Sequence, residues 1–163
     1  MIWDNNIWEG EVVEIGSYTL TCSFKSRVND FTWHVTGVYA LTYNLERQEV
    51  WWEIGAVRSL FTGPWVLDGD FNIIRYASEE RNCSRTSMYM NDFSDVIENM
   101  ELIDPPLDGG IYTWAKESNL EVVSRIDRIM YSSEWEENFC NVKQELQPRV
   151  CSDHALIALK SGN

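Results

Sequence analysis

The stretch Trp65-Val66-Leu67-Asp68-Gly69-Asp70-Phe71-Asn72 passes from apolar residues to carboxylates within a few positions. Trp65-Val66-Leu67 reads as a short buried strand, because aromatic and β-branched side chains suit a covered sheet. The strand breaks at Asp68-Gly69-Asp70, and polar residues at a strand's end mark a place where a ligand can sit. Asp70 and Asn72 flank Phe71. In extended backbone, residues two apart face the same side, so a carboxylate and a carboxamide are expected to enter one cleft. Taken alone, Asp-x-Asn after an apolar run more often marks a turn or a cap than a site.

Two later stretches carry related chemistry. In Ser124-Arg125-Ile126-Asp127-Arg128-Ile129, Arg125 and Asp127 stand in the same two-apart relation with Ile126 on the opposite side. That pattern also fits a half-buried strand bearing surface salt bridges. Ser152-Asp153-His154 leads straight into the apolar run 155–159, so one of only two histidines adjoins a carboxylate where a strand begins. Aspartate can hold a hard cation through oxygen, and histidine suits proton transfer or hydrogen bonding to a phosphate oxygen. The other histidine, His34, lies inside Phe31-Thr32-Trp33-His34-Val35 and reads as structural.

The intervening chain supplies the frame. Residues 12–39 alternate like strands around Gly16-Ser17, which predicts two hairpin-like units. Val50, Ile54, Val57 and Phe61 recur at four, three and four residues, which predicts a helix over 45–61 ended by Thr62-Gly63-Pro64. Met90, Phe93, Ile97 and Met100 predict a second helix over 90–100, before a loop marked by Pro105-Pro106 and Gly109-Gly110. Further strands are expected at 111–115, 122–131 and 155–159. Strands grouped with a few helices argue for an α/β or α+β sandwich.

Length and composition narrow the class. A chain of 163 residues folds as one domain, 1–163, and 44% hydrophobic residues are enough to build its core. Eight tryptophans, several in strand-like runs, point to core packing. A net charge of −13 opposes approach to a polyanion unless a cation or a local basic patch compensates. Cys22, Cys83, Cys140 and Cys151 are widely spaced, without the pairs that mark zinc sites or disulfide frameworks, so reduced thiols, an intracellular protein and no disulfide-linked partner are expected. No membrane span is expected, and nuclear and cytoplasmic locations are not distinguished.

Taken in order, Val38-Tyr39, Gly69-Asp70-Phe71-Asn72, Tyr112-Thr113-Trp114, Arg125-Ile126-Asp127-Arg128, Glu134-Trp135 and Ser152-Asp153-His154 resemble the endonuclease/exonuclease/phosphatase (DNase I-like) family. The branch they resemble is that of LINE-type retrotransposon endonucleases. The resemblance implies a four-layer sandwich, two packed mixed sheets flanked by helices, and hydrolysis of a phosphodiester with Mg²⁺ or Mn²⁺. It implies that Asp70 orients or deprotonates the attacking water, that Asn72 holds nucleophile or phosphate, and that His154 stabilises the phosphoryl oxygens. Asp127 would orient His154 and Asp153 would bind the metal. Tyr39, Thr113 and Arg125 would contact the phosphate or the substrate.

Family members open with a strand bearing an asparagine, a helix, and a second strand bearing a metal-binding glutamate. The sequence here begins at a point that matches a position beyond both. The expectation is therefore a partial domain, lacking the first strands and helix, with weakened metal binding, impaired activity and an unpaired sheet edge open to a protein partner. The ancestral substrate would be DNA. A non-catalytic binding scaffold suits the negative charge better than DNA binding does, and a phosphoinositide or small-phosphoester phosphatase is the remaining alternative.

Overall fold

The computed structural model of the chain describes residues 1–43 and 46–162. In chain order the first elements are β1 (Trp8–Ile15), β2 (Thr19–Ser26), β3 (Thr32–Tyr39), α1 (Arg47–Arg58) and β4 (Trp65–Asp70). A short 3-10 turn (Ala77–Glu79), α2 (Met88–Asn99), β5 (Leu102–Ile103), β6 (Leu107–Asp108) and β7 (Trp114–Ala115) follow. The chain then forms β8 (Val123–Ser124), β9 (Asp127–Ser132), α3 (Ser133–Glu136), β10 (Lys143–Leu146) and β11 (Ile157–Lys160). No helix of the structure is long and apolar enough to cross a membrane, and the four cysteines are free thiols among the described residues.

The predicted hairpins over 12–39 form as β1–β2 and β2–β3, both antiparallel. Glu53 holds their first turn, its carboxylate accepting from the Ser17 and Tyr18 N–H groups and from Thr19 Oγ1. A Cβ at Gly16 would lie 2.0 Å from Glu53 Oε1, so a larger residue there would have to displace that carboxylate from the turn. β3 and β4 run parallel, which demands a crossover, and α1 supplies it. The helix is shorter than the predicted 45–61, and its predicted first residue, Leu45, lies outside the described residues. Val50, Ile54 and Val57 face the core as their spacing requires, but Phe61 lies beyond the helix. Its ring stacks on His34 at 4.0 Å, which accounts for the structural part that histidine plays.

The principal sheet has the order β1-β2-β3-β4-β9-β5, and a smaller one the order β11-β10-β6. Val50, Trp51 and Ile54 of α1 and Phe93 and Ile97 of α2 pack on one face of the large sheet against Val38, Trp65, Leu67 and Met130. The opposite face offers Val66, Ile129 and Tyr131 to Trp135 and to Ile157 and Leu159 of the small sheet. Gln144, fully buried, stitches the two sheets: its Oε1 accepts from Ile129 N–H and its Nε2 donates to Pro105 O. The expected α/β sandwich of packed mixed sheets is the architecture found. The two longer helices, α1 and α2, lie on the same face of the large sheet.

One expected strand divides. Instead of a single run over 122–131, β8 and β9 belong to different sheets, broken at Arg125-Ile126. The N–H of Arg125 goes to Glu79 O, and those of Ile126 and Asp127 go to Thr113 Oγ1, so none of the three is left for a continuous ladder.

Arg128 is wholly buried between Glu79 and Asp104, the latter at 2.8 Å, with Arg125 bonded to the same two carboxylates and Arg75 to Asp104. Removing one member of such a network leaves an uncompensated buried charge, which costs about 3–5 kcal/mol. Arg128→Met is expected to lower unfolding stability by that amount in urea titrations, and a loss below about 1 kcal/mol would contradict this account.

Candidate active site

Three neighbouring strands meet at their ends. Asp70 closes β4, with Tyr39 of β3 beside it on one side and Asp127 of β9 opposite it on the other. Cross-strand like charges repel. Burial pushes the Asp70 carboxyl above its ordinary range, the Asn72 N–H pulls it back, Asp127 and Asp153 push it up further, and His154 pulls it down.

Asp70 and Asn72 do meet, but not by strand alternation. β4 ends at Asp70, and Asn72 adopts a left-handed backbone (φ 49°), a conformation asparagine tolerates. Its N–H donates to Asp70 Oδ1 at 2.8 Å, and its Nδ2 donates to Asp70 Oδ2 and to Ala40 O. The turn is therefore both the alternative that the sequence left open and the device that builds the cleft. Arg47, which the sequence did not single out, clamps it by donating from Nη1 to Asn72 O, Thr42 O and Leu41 O. The clue is an arginine at a buried position in the first turn of α1, and burial is not legible in sequence.

His154 lies across from these groups, its Nδ1 at 3.0 and 3.1 Å from the two oxygens of Asp127. Such a carboxylate fixes both the tautomer and the orientation of the imidazole. The Thr113-Trp114 segment holds both halves of this arrangement. Thr113, fully buried, accepts the N–H groups of Ile126 and Asp127 on its hydroxyl and that of Ala155 on its carbonyl. Trp114 Nε1 donates to Asp153 Oδ2 at 2.9 Å, and this bond, with His154 nearby, draws the Asp153 carboxyl below its ordinary range.

The expected site residues thus separate into groups. Tyr39, Asp70, Asn72 and His154 line one cavity of about 730 Å³, with Tyr39 69% exposed at its rim. Asp127 touches the site through His154. Asp153 stands beside the cluster, tied to Trp114. Thr113 is turned inward, where it positions Asp127 and presents no free hydroxyl. Arg125 is a correction: its guanidinium is buried on Glu79, Asp104 and Pro105 O, away from the cavity. The two-apart spacing misled because residues 125 and 126 are not in a strand.

Asp68 is the carboxylate that the sequence reading passed over. Strand alternation puts it on the side of β4 that carries Asp70. Burial, and then the charge of Asp127, push it up to about 6. A carboxyl raised in the folded state favours folding while protonated, and that contribution is lost as pH rises through about 6.

The architecture is that of the endonuclease/exonuclease/phosphatase, DNase I-like, fold. The endonuclease domain of TRAS1, a telomere-specific non-LTR retrotransposon, matches with a TM-score of 0.77 and 12% identity over 98% of this chain and 71% of that one. The 3′ phosphatase NExo from Neisseria, solved with a product DNA hairpin, matches at 0.66 and 16% over 87% of this chain and 64% of that one. A family protein from Bacteroides vulgatus matches at 0.64 and 17%, over 98% and 69%. The chain thus spans about two thirds of the length of these proteins. No family profile matches the sequence, and no characterised protein matches it by sequence.

Two measurements follow from this geometry. Asp68→Asn should gain stability over the unsubstituted protein by about 2 kcal/mol between about pH 4 and about pH 8, read from urea midpoints in a chelator. An equal difference at both values would remove Asp68 from the charge cluster. Thr113→Val leaves the Ile126 and Asp127 N–H groups unanswered and should cost about 1–3 kcal/mol in the same titration.

Proposed function

We propose that the chain is a metal-assisted phosphodiesterase of retrotransposon descent whose substrate is DNA. The observation that carries this reading is the register that sets Asp70 directly opposite Asp127, with His154 bonded to the latter. Two carboxylates held face to face gain from a cation. The donor atoms of Asp70, Asp127 and His154 lie within 4.8 Å of one another, and Asp153 keeps an oxygen whose one partner is the exposed Ser152 hydroxyl at 3.4 Å. This oxygen-rich set fits Mg²⁺ or Mn²⁺. Asp153 would hold such an ion beside Asp70, and the ion would neutralise charge developing on the phosphoryl oxygens.

The protein's own groups do the rest. Asp70 accepts the proton of the attacking water or orients it, with Oδ1 of Asn72, which has no hydrogen-bond partner among the described residues, as second anchor. His154, aligned by Asp127 through Nδ1, meets the phosphoryl oxygens through Nε2 and donates to them when both ring nitrogens carry a proton. The Tyr39 phenol at the rim is placed to meet a flanking phosphate. Because Trp114 already occupies one oxygen of Asp153, we expect a loosely held ion and a slow enzyme. The LINE assignment rests on the ordered landmarks of the sequence and is supported by the likeness to the TRAS1 domain.

A second reading, a non-catalytic scaffold, is favoured by the charge of −13 and by the burial of Arg125, the cation expected at the substrate. β11 pairs on one side only, so a partner strand has a place to add. Nicking of supercoiled plasmid across a Mg²⁺ and Mn²⁺ series separates the two readings. The enzyme reading expects metal-dependent nicking that Asp70→Ala and His154→Ala each reduce by about 10² or more. Folded protein that leaves the plasmid intact at every metal concentration gives the scaffold reading instead, and hydrolysis confined to small phosphomonoesters would reassign the substrate.

A further inference from the structure

The outer faces of α1 and α2 enclose a groove of about 650 Å³ that shares no residue with the catalytic cavity. Gly55 and Ala56 of α1 and Val96 of α2 lie along it, so part of its lining is small and apolar. Trp52 forms one wall and is 80% exposed, whereas its neighbour Trp51 is buried against Phe71 and Phe93. Nothing in the core requires an indole at Trp52. Asp92 and Asp95 stand on the α2 side; Gln48 reaches Asp92 at 3.5 Å, and neither carboxylate has an ion pair among the described residues. No lysine or arginine lines the groove.

An open indole face beside two uncompensated carboxylates is chemistry for a cation carried on an apolar stem. The ring quadrupole attracts the positive head, the carboxylates add charge and hydrogen-bond acceptors, and the small lining leaves room for methylenes. Arginine fits best, since its guanidinium stacks on an aromatic plane while its edge meets a carboxylate. A second copy of the chain does not fit: each carries −13, and a symmetric contact would set Asp92 and Asp95 against their own copies. A polyanion is repelled for the same reason.

We propose that the α1–α2 groove is a docking site for a basic polypeptide segment, which inserts an arginine over Trp52 between Asp92 and Asp95. The site is independent of phosphodiester cleavage and stands whether or not the catalytic reading does.

Isothermal titration of the full chain with a short amphipathic arginine–leucine peptide tests it, with the same peptide carrying citrulline for arginine as control. Binding should occur with the arginine peptide only. Trp52→Ala should weaken it about tenfold or more, and Trp52→Phe should restore part of the loss. Asp92→Asn with Asp95→Asn should weaken it by a similar factor of about ten and flatten its salt dependence. Glu9→Gln with Glu11→Gln, an equal change of charge on the distant β1, should leave it unaltered, which separates the groove from general attraction to an acidic protein. Because Trp52 is exposed, its variants should melt with the unsubstituted protein, and nicking, where present, should be unchanged. Absence of binding, equal binding by Trp52→Ala, or equal loss in the Glu9/Glu11 pair overturns the proposal. Dimerisation in sedimentation runs that Trp52→Ala abolishes would assign the groove to a second copy instead.

Discussion

Arg128 inserted between Glu79 and Asp104 is the contact on which the rest of the molecule turns. A guanidinium with no exposure to water is tolerated only where its charge is answered, so the 3-10 turn that ends in Glu79 and the loop that carries Asp104 must both come to β9. Arg125 and Arg75 extend the same contact. Because Arg128 is the second residue of β9, fixing it also fixes its neighbour Asp127, and through Asp127 the imidazole of His154.

Strand β9 therefore carries opposite electrostatic conditions on its two faces. On the helix side, where Arg128 lies over the Phe93 ring, positive charge is matched by buried carboxylates. On the other side Asp127 faces Asp70, with Asp68 close by, and negative charge is left unmatched. The first face stabilises the fold and the second stores an electrostatic cost that a ligand can relieve.

What could be read from the sequence were the pieces whose logic is local. The apolar run into Asp70, the start of a strand after His154 and the helical stripes of Val50 and Phe93 all rest on spacing within a few residues. The ordered landmarks, spread over nearly the whole chain, were enough for the fold. The rest depended on partners far apart in the chain. Arg125 was taken for a substrate contact because nothing nearby reveals that Glu79 and Asp104 claim it. The resemblance implies a substrate contact for Thr113, yet its hydroxyl serves two backbone N–H groups. Arg47 went unnoticed because its task, gathering three carbonyl groups, exists only once the loops after β3 and β4 lie side by side. The left-handed turn at Asn72 is not legible either, because a single such residue leaves no periodic trace and two-apart spacing reads as extended backbone.

The same long-range wiring sets how this chain must fold. Arg128 meets Glu79 across 49 positions and Asp104 across 24, and the Ser132 hydroxyl receives the Trp65 N–H across 67. None of these closures is rewarded until the intervening segments have been brought into place, since a half-formed network leaves bare charge in a nonpolar setting. The hairpins of β1 to β3 close over neighbouring residues, whereas β9 pairs with β4 across about sixty positions and carries the larger loop-closure cost. Asp70 and Asp127 sit opposite one another only because β4 and β9 have paired over that distance, so their juxtaposition reports on the long-range topology and not on any local turn.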